Sequence, residues 1–212
     1  ALIPLVFSVR VMTNDFESKS SDGSFNSRAN EAFASNLVDI DDWVNRQPRA
    51  VEDLRGNVIL LDFWTYSCVN CIRTLPYLRS WHERYSDDGL IIIGVHSPEF
   101  DFEKSLSNVQ REVHRLDVPW PIALDNTRST WRAYEVRAWP TKILIGKDGT
   151  IRHQYAGEGA YGDTEKLIRV LLEEDGYMLG RLYAEALIEP NFSEYRGITR
   201  EIYGGARWAP YN

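Results

Sequence analysis

The sequence predicts an α/β fold: a mixed central sheet flanked by helices. Two observations carry that reading. Between Val58 and Leu124, apolar runs of strand length alternate with amphipathic stretches of helical period, the pattern of parallel strands joined by crossover helices. A hairpin signal, Lys147-Asp148-Gly149, then arrives late in the chain, so an antiparallel pair joins the sheet.

The elements follow in order. Residues 8–36 are polar and rich in Ser and Asn, without a core pattern, and read as an N-terminal extension over 1–36. Asp41-Asp42-Trp43 opens a short helix or turn, and Arg55-Gly56-Asn57 is a turn signal. Val58 to Trp64 is a near-continuous apolar run, which suits a central strand covered on both faces. From Cys68 to Tyr85, Ile72, Leu75, Leu78 and Trp81 recur at helical spacing, and Ser86-Asp87-Asp88-Gly89 ends the helix. Leu90–Val95 is a second buried strand. Ser105–Leu116 is an amphipathic helix with Leu106, Val109, Val113 and Leu116 on one stripe. Ile122–Leu124 is a short strand and Thr127–Tyr134 a short helix. Thr141–Ile145 and Thr150–Tyr155 are the hairpin strands, and Asp163 N-caps a helix over Thr164–Glu174. The main domain thus covers 37–175, and 176–212 reads as an ordered C-terminal tail rich in Tyr, Gly and Arg.

Composition narrows the function classes. At 212 residues, with 43% hydrophobic and 26% charged residues, the chain can build one sizeable core and is not disordered as a whole. A net charge of −7 without a basic patch argues against a nucleic-acid partner. The most apolar N-terminal stretch, Ala1–Met12, is broken by Pro4, Ser8 and Arg10 and falls short of the ~18 residues of a membrane span. No Gly-x-Gly-x-x-Gly run offers a nicotinamide or flavin site, so no cofactor is expected.

The chemistry lies in the 2 cysteines, Cys68 and Cys71. A disulfide closing so short a loop constrains little of the unfolded chain, and no second ligand pair completes a zinc site. A redox dithiol is the remaining reading. Cys68 falls at a helix start, where free N–H groups and the positive helix end favour a thiolate. Cys71 lies one turn on, on the same face, placed to attack a mixed disulfide on Cys68. Trp64, Thr65, Tyr66 and Ser67 form the strand-to-helix corner at the surface. Asp62, six residues before Cys68 in an apolar strand, is costly unless neutral or paired, which suits a buried proton carrier.

The string Leu61-Asp62-Phe63-Trp64-Thr65-Tyr66-Ser67-Cys68-Val69-Asn70-Cys71, with Pro76 following, resembles the thioredoxin superfamily. Gly94-Val95-His96-Ser97-Pro98-Glu99-Phe100 and the inserted helix at 105–116 look like its TlpA-like branch, and the flanking strings are most similar to the thioredoxin-like domains of DipZ-type proteins. The resemblance covers about Leu37 to Asp175. It implies a thioredoxin-like fold with a TlpA-like helical insertion and a CxxC thiol–disulfide oxidoreductase. It implies catalytic Cys68 and Cys71, proton transfer by Asp62 or Glu99, and a substrate groove at Trp139, a cis Pro140, Thr141 and Trp64. The partners it implies are a disulfide-bearing protein substrate and a separate electron-donor protein, such as a membrane thiol transporter. The setting it implies is extracytoplasmic, periplasmic or membrane-tethered. His96 reads as a satisfied polar group and Lys142 as a solvated strand residue. Val69-Asn70 between the cysteines adds no charge, which leans towards a reductant.

Three other readings stand beside this one. Thr65-Tyr66-Ser67-Cys68 is a Thr-x-x-Cys string such as peroxiredoxins carry, but Leu61–Trp64 lacks the proline that precedes theirs. A redox-silent partner-binding module could use the same fold. A copper carrier would use Cys68, Cys71 and His96.

Overall fold

The computed structural model describes residues 33–46, 54–176 and 179. The expected N-terminal extension and C-terminal tail fall almost entirely outside those residues. The elements are β1 (Asp42–Val44), β2 (Val58–Trp64), α1 (Val69–Tyr85), β3 (Leu90–His96), α2 (Leu106–Arg115), β4 (Ile122–Leu124), α3 (Ser129–Ala133), β5 (Thr141–Ile145), β6 (Ile151–Ala156) and α4 (Tyr161–Glu173). They build one mixed sheet of order β1-β4-β3-β2-β5-β6. The strands β2, β3 and β4 run parallel, and β1, β5 and β6 pair antiparallel with their neighbours.

Strand alternation sorts β2 between two cores. Val58, Leu60 and Trp64 join Leu75, Leu78 and Trp81 of α1 and Ile168, Leu171 and Leu172 of α4. Ile59, Leu61 and Phe63 face the other way, against Trp131, Tyr134 and Val136. Asp62 therefore belongs by period to the face that α1 covers, the face on which Cys71 lies. The same alternation puts Lys142 with Leu144 on that face of β5, while Ile143 and Ile145 turn away.

Two local expectations give way. Asp42-Trp43-Val44 is not a helix or turn but β1, the edge strand on β4, with Asp41 N–H donating to Leu124 O at 2.9 Å; an open sheet edge outweighs weak local preference. The last helix begins at Tyr161, with Ala160 as N-cap in the left-handed region, so Asp163 lies in the first turn instead of capping it. Its charge still suits the positive end of the helix.

Candidate active site

Cys68 is the N-cap of α1, extended at φ −74° and ψ 114°, and its sulfur accepts the Cys71 N–H at 3.4 Å. No disulfide joins the two cysteines in this structure. The junction expected at the surface is largely closed: Cys68 is 5% exposed and Cys71 1%. They share the larger core with Trp64, Tyr66 and Leu75, and Trp139 packs against the same cluster. Burial pushes the Cys71 thiol well above its usual range; Cys68 beside it and the negative Asp62 push the same way, and a backbone hydrogen bond from Thr65 pulls back.

Asp62 is 2% exposed, and its Oδ1 has no hydrogen-bond partner among the described residues. Burial raises its carboxyl to about 6, with Lys142 holding it lower than burial alone would. The solvated lysine expected at 142 is instead fully buried and stands directly opposite Asp62 in the β2–β5 register. Burial pulls its ammonium below the usual lysine range, opposed by Asp62, Cys71 and Glu158. Sequence patterning alone could have found it, since every other residue of Thr141–Ile145 is of a type that a central strand buries.

The side chain of Glu99, the second acid expected to serve the dithiol, is exposed. A 3-10 turn over Asp101–Lys104 instead folds Glu103 inward to full burial. Glu103 Oε1 accepts the Thr65 hydroxyl at 2.5 Å and the Ser67 hydroxyl, and Oε2 accepts the N–H groups of Glu99 (2.5 Å) and Phe100 (2.9 Å). Burial alone would raise this carboxyl, but the four hydrogen bonds outweigh it and hold it below the usual range. An ionised Glu103 thus clamps the residues just before Cys68 to the 97–104 loop. Glu103 directly follows Phe100-Asp101-Phe102, and both phenylalanine rings stay half exposed while the acid turns inward.

His96 lies in the same pocket, 3.3 Å from the Thr65 hydroxyl and stacked on Tyr66. Burial drops it to about 4, so it is neutral at physiological pH. Trp64, expected on a substrate groove, is a core side chain at 1% exposure, edge-on to His96; as the last residue of a doubly covered strand it has no open side.

The Trp139–Pro140 peptide bond is cis. Trp139 donates from its indole to Ser97 O at 2.9 Å, packs on Trp131 and lies under the Arg128 guanidinium at 4.8 Å. Thr141 donates its hydroxyl to Ala138 O, and Gly157 N–H donates to Pro140 O at 2.7 Å, tying the proline loop to the turn after β6. Among the described residues, no cluster of three His, Cys, Asp or Glu is arranged to hold a metal ion, and no helix is long and apolar enough to cross a membrane.

Comparison with known proteins places this geometry. DipZ of Mycobacterium bovis is 41% identical over 175 residues, covering 81% of this chain and 25% of DipZ. The thiol-disulfide oxidoreductase ResA of Bacillus thuringiensis is 31% identical over 108 residues, 51% of this chain and 60% of ResA. The chain thus spans about a quarter of DipZ. Among solved structures, a thiol-disulfide isomerase from Corynebacterium glutamicum superposes with a TM-score of 0.61 at 24% identity, covering 68% of this chain and 98% of that one. A thioredoxin-like superfamily protein superposes at 0.62 and 22% identity, over 67% and 97%. Such likeness shows the thioredoxin-like fold. The AhpC/TSA family model matches residues 33–154. That match runs from before β1 into β6 and takes in β1 to β5 and most of β6 as well as the cysteine string, and the chain belongs to the AhpC/TSA family.

Proposed function

We propose that residues 37–175 act as a thiol–disulfide oxidoreductase that reduces disulfides of partner proteins outside the cytoplasm. The observation that carries this is the Cys68 N-cap with Cys71 one turn inside α1, above a buried Asp62 whose carboxyl titrates near 6. A carboxyl so placed can take and return a proton close to working pH.

In the reaction, the Cys68 thiolate attacks one sulfur of the partner's disulfide, and the other partner sulfur leaves and takes a proton. A mixed disulfide now joins Cys68 to the partner. Cys71 gives up its proton, attacks the Cys68 sulfur and displaces the second partner sulfur, which is protonated in turn. The protein dithiol has lost two electrons and two protons to the partner, and a separate donor protein restores them. An extended partner segment would lie along the cis-proline loop, where Trp139 stays partly exposed while Pro140 and Thr141 are buried. ResA, by its name a thiol-disulfide oxidoreductase, supports the reading.

Reduction of a disulfide-bonded test protein tests it: wild type turns over with a chemical reductant, and Cys68→Ser abolishes turnover. A dithiol potential near about −270 mV supports a reductase, and one near about −120 mV an oxidant. A Cys68-dependent consumption of peroxide faster than any disulfide exchange would instead select a thiol peroxidase. The Thr65 hydroxyl weighs against that outcome, because it is committed to Glu103.

A further inference from the structure

The sheet order fixes what surrounds the dithiol. β2 lies between β3 and β5, with β3 parallel and β5 antiparallel to it. The loop after β3 and the loop before β5 therefore lie at the same end of the sheet as the Cys68 corner, one on each side of it. The cis-proline loop is one flank. Residues 97–104 are the other, and they are tied down along their length. Trp139 and Arg128 donate to the carbonyls of Ser97 and Pro98. Glu103 accepts the amides of Glu99 and Phe100, and Asn126 Nδ2 donates to Lys104 O at 3.1 Å. The carbonyl of Phe102 accepts twice, from the Tyr66 hydroxyl at 3.2 Å and from Asn108 of α2 at 2.9 Å. Tyr66 belongs to the cysteine corner, two residues before Cys68.

This pinned loop presents two phenyl rings to solvent. Phe100 is 50% exposed and Phe102 55%, and the rings stack at 5.5 Å with 7° between their planes. Phe102 also meets the Tyr66 ring at 6.3 Å, so the pair continues the aromatic wall of the dithiol corner outward. The same turn buries the carboxylate of Glu103. Acid inside and phenyl outside reverses the usual sorting, and rings left in water forgo the burial free energy that a cover would supply. Contiguous apolar surface on an ordered loop marks a contact site, and a loop already held in place loses little freedom on binding. The charges on the turn answer each other, with Lys104 Nζ 2.7 Å from Asp101 Oδ1.

We propose that the Phe100–Phe102 pair is a docking surface for an apolar side chain close to the partner's disulfide, so that the protein selects disulfides with apolar flanks. The proposal rests on the oxidoreductase reading and names the substrate class of that site. The occupant follows from continuity with the dithiol. Cys68 is 5% exposed, so a partner must press its disulfide against the corner, and the chain on either side of that disulfide then meets the two flanking loops. On the 97–104 side the phenyl faces take an aliphatic or aromatic side chain, and water leaves both surfaces. A charged or amide side chain in that place would lose water without gaining a partner. The carbonyls of Ser97, Pro98 and Phe102 and the amides of Glu99 and Phe100 are already engaged.

Two synthetic peptides test the proposal, each closed by a single disulfide. One carries Phe and Leu beside its cysteines, the other Ser and Asn. The reduced full chain is mixed with each, and the second-order rate of peptide thiol formation is measured. Wild type should reduce the apolar peptide roughly tenfold faster than the polar one. In protein carrying both Phe100→Ser and Phe102→Ser that ratio should fall close to one. Phe100→Leu with Phe102→Leu should restore most of it. A change that merely disturbed the dithiol would slow both peptides alike and leave the ratio where it was. A wild-type ratio near one, or a ratio that the double serine variant keeps, overturns the proposal and leaves the oxidoreductase reading standing. Two other occupants have their own signatures, and either overturns it. A cover formed by another part of this chain would make the serine variant faster on both peptides equally. A second copy would show as a dimer in sedimentation that the serine variant dissociates. If wild type reduces neither peptide, it is the reading itself that fails, and the proposal with it. Should the double serine variant not fold, Phe100→Ser and Phe102→Ser are read singly, and each should lower the ratio.

Discussion

Replacing Asp62 with asparagine should stabilise the fold at neutral pH while slowing dithiol exchange. The carboxyl moves from an ordinary 3.8 to about 6 on folding. Each factor of ten in proton affinity is worth about 1.4 kcal/mol, so the gap amounts to about 3 kcal/mol. The sign follows from which state holds the proton more tightly. Folded Asp62 does, so its favourable contribution is full below about pH 4 and is lost as pH rises through about 6. The asparagine amide does not titrate. The stability difference, variant minus wild type, should therefore grow by about 3 kcal/mol between about pH 4 and 8. In a domain of this size that is roughly 6–12 °C in melting temperature. The pull of Lys142 is already contained in the value of about 6, so losing that interaction shifts the difference at both pH values alike and leaves its growth unchanged. Urea unfolding of the reduced protein at both pH values reads it directly. A difference that is flat with pH, or shrinks as pH rises, would refute the claim that burial holds this carboxyl up.

Other outcomes follow from the same geometry. Glu103→Gln keeps the shape but turns an amide NH2 towards donors; about 1.5–3 kcal/mol of stability should be lost at neutral pH, read by urea unfolding. Because the fold lowers the Glu103 carboxyl, that loss should shrink as pH falls below the ordinary carboxylate range. His96 is held at about 4 against an ordinary 6.5. Its contribution is present above 6.5 and fades as pH drops through that window, so His96→Phe should flatten part of the acid limb of the stability curve. Gly94→Ala places a methyl 2.4 Å from Ile122 Cδ1 and 2.9 Å from Trp64 Nε1. It should cost about 1–3 kcal/mol, seen as a lower urea midpoint with an unchanged slope.

The sheet was legible because buried strands announce themselves. Val58–Trp64, Ile122–Leu124 and Thr141–Ile145 fall where the apolar runs lie. The dithiol junction was equally legible, since a CxxC pair after a buried strand leaves few alternatives. What the sequence hid is set by tertiary contact. Asp42–Val44 is a strand only because β4 offers an open edge. Glu99 and Glu103 lie four residues apart in one loop, and only the 3-10 turn decides which carboxyl goes inside. Lys142 reads as a surface residue by type, and only the apolar run on either side of it marks a strand position that is covered. Trp64 belongs to the string that carries the family resemblance, yet being the last residue of a covered strand sends its ring into the core.

The most direct test of the central claim is trapping. Cys71→Ser protein, incubated with a disulfide-bonded partner and mapped by mass spectrometry, should accumulate a mixed disulfide on Cys68, which the buried Cys71 thiol is proposed to resolve. Partners trapped on Cys71 in the Cys68→Ser protein, with none on Cys68 in the Cys71→Ser protein, would contradict the assignment of nucleophile and resolving thiol.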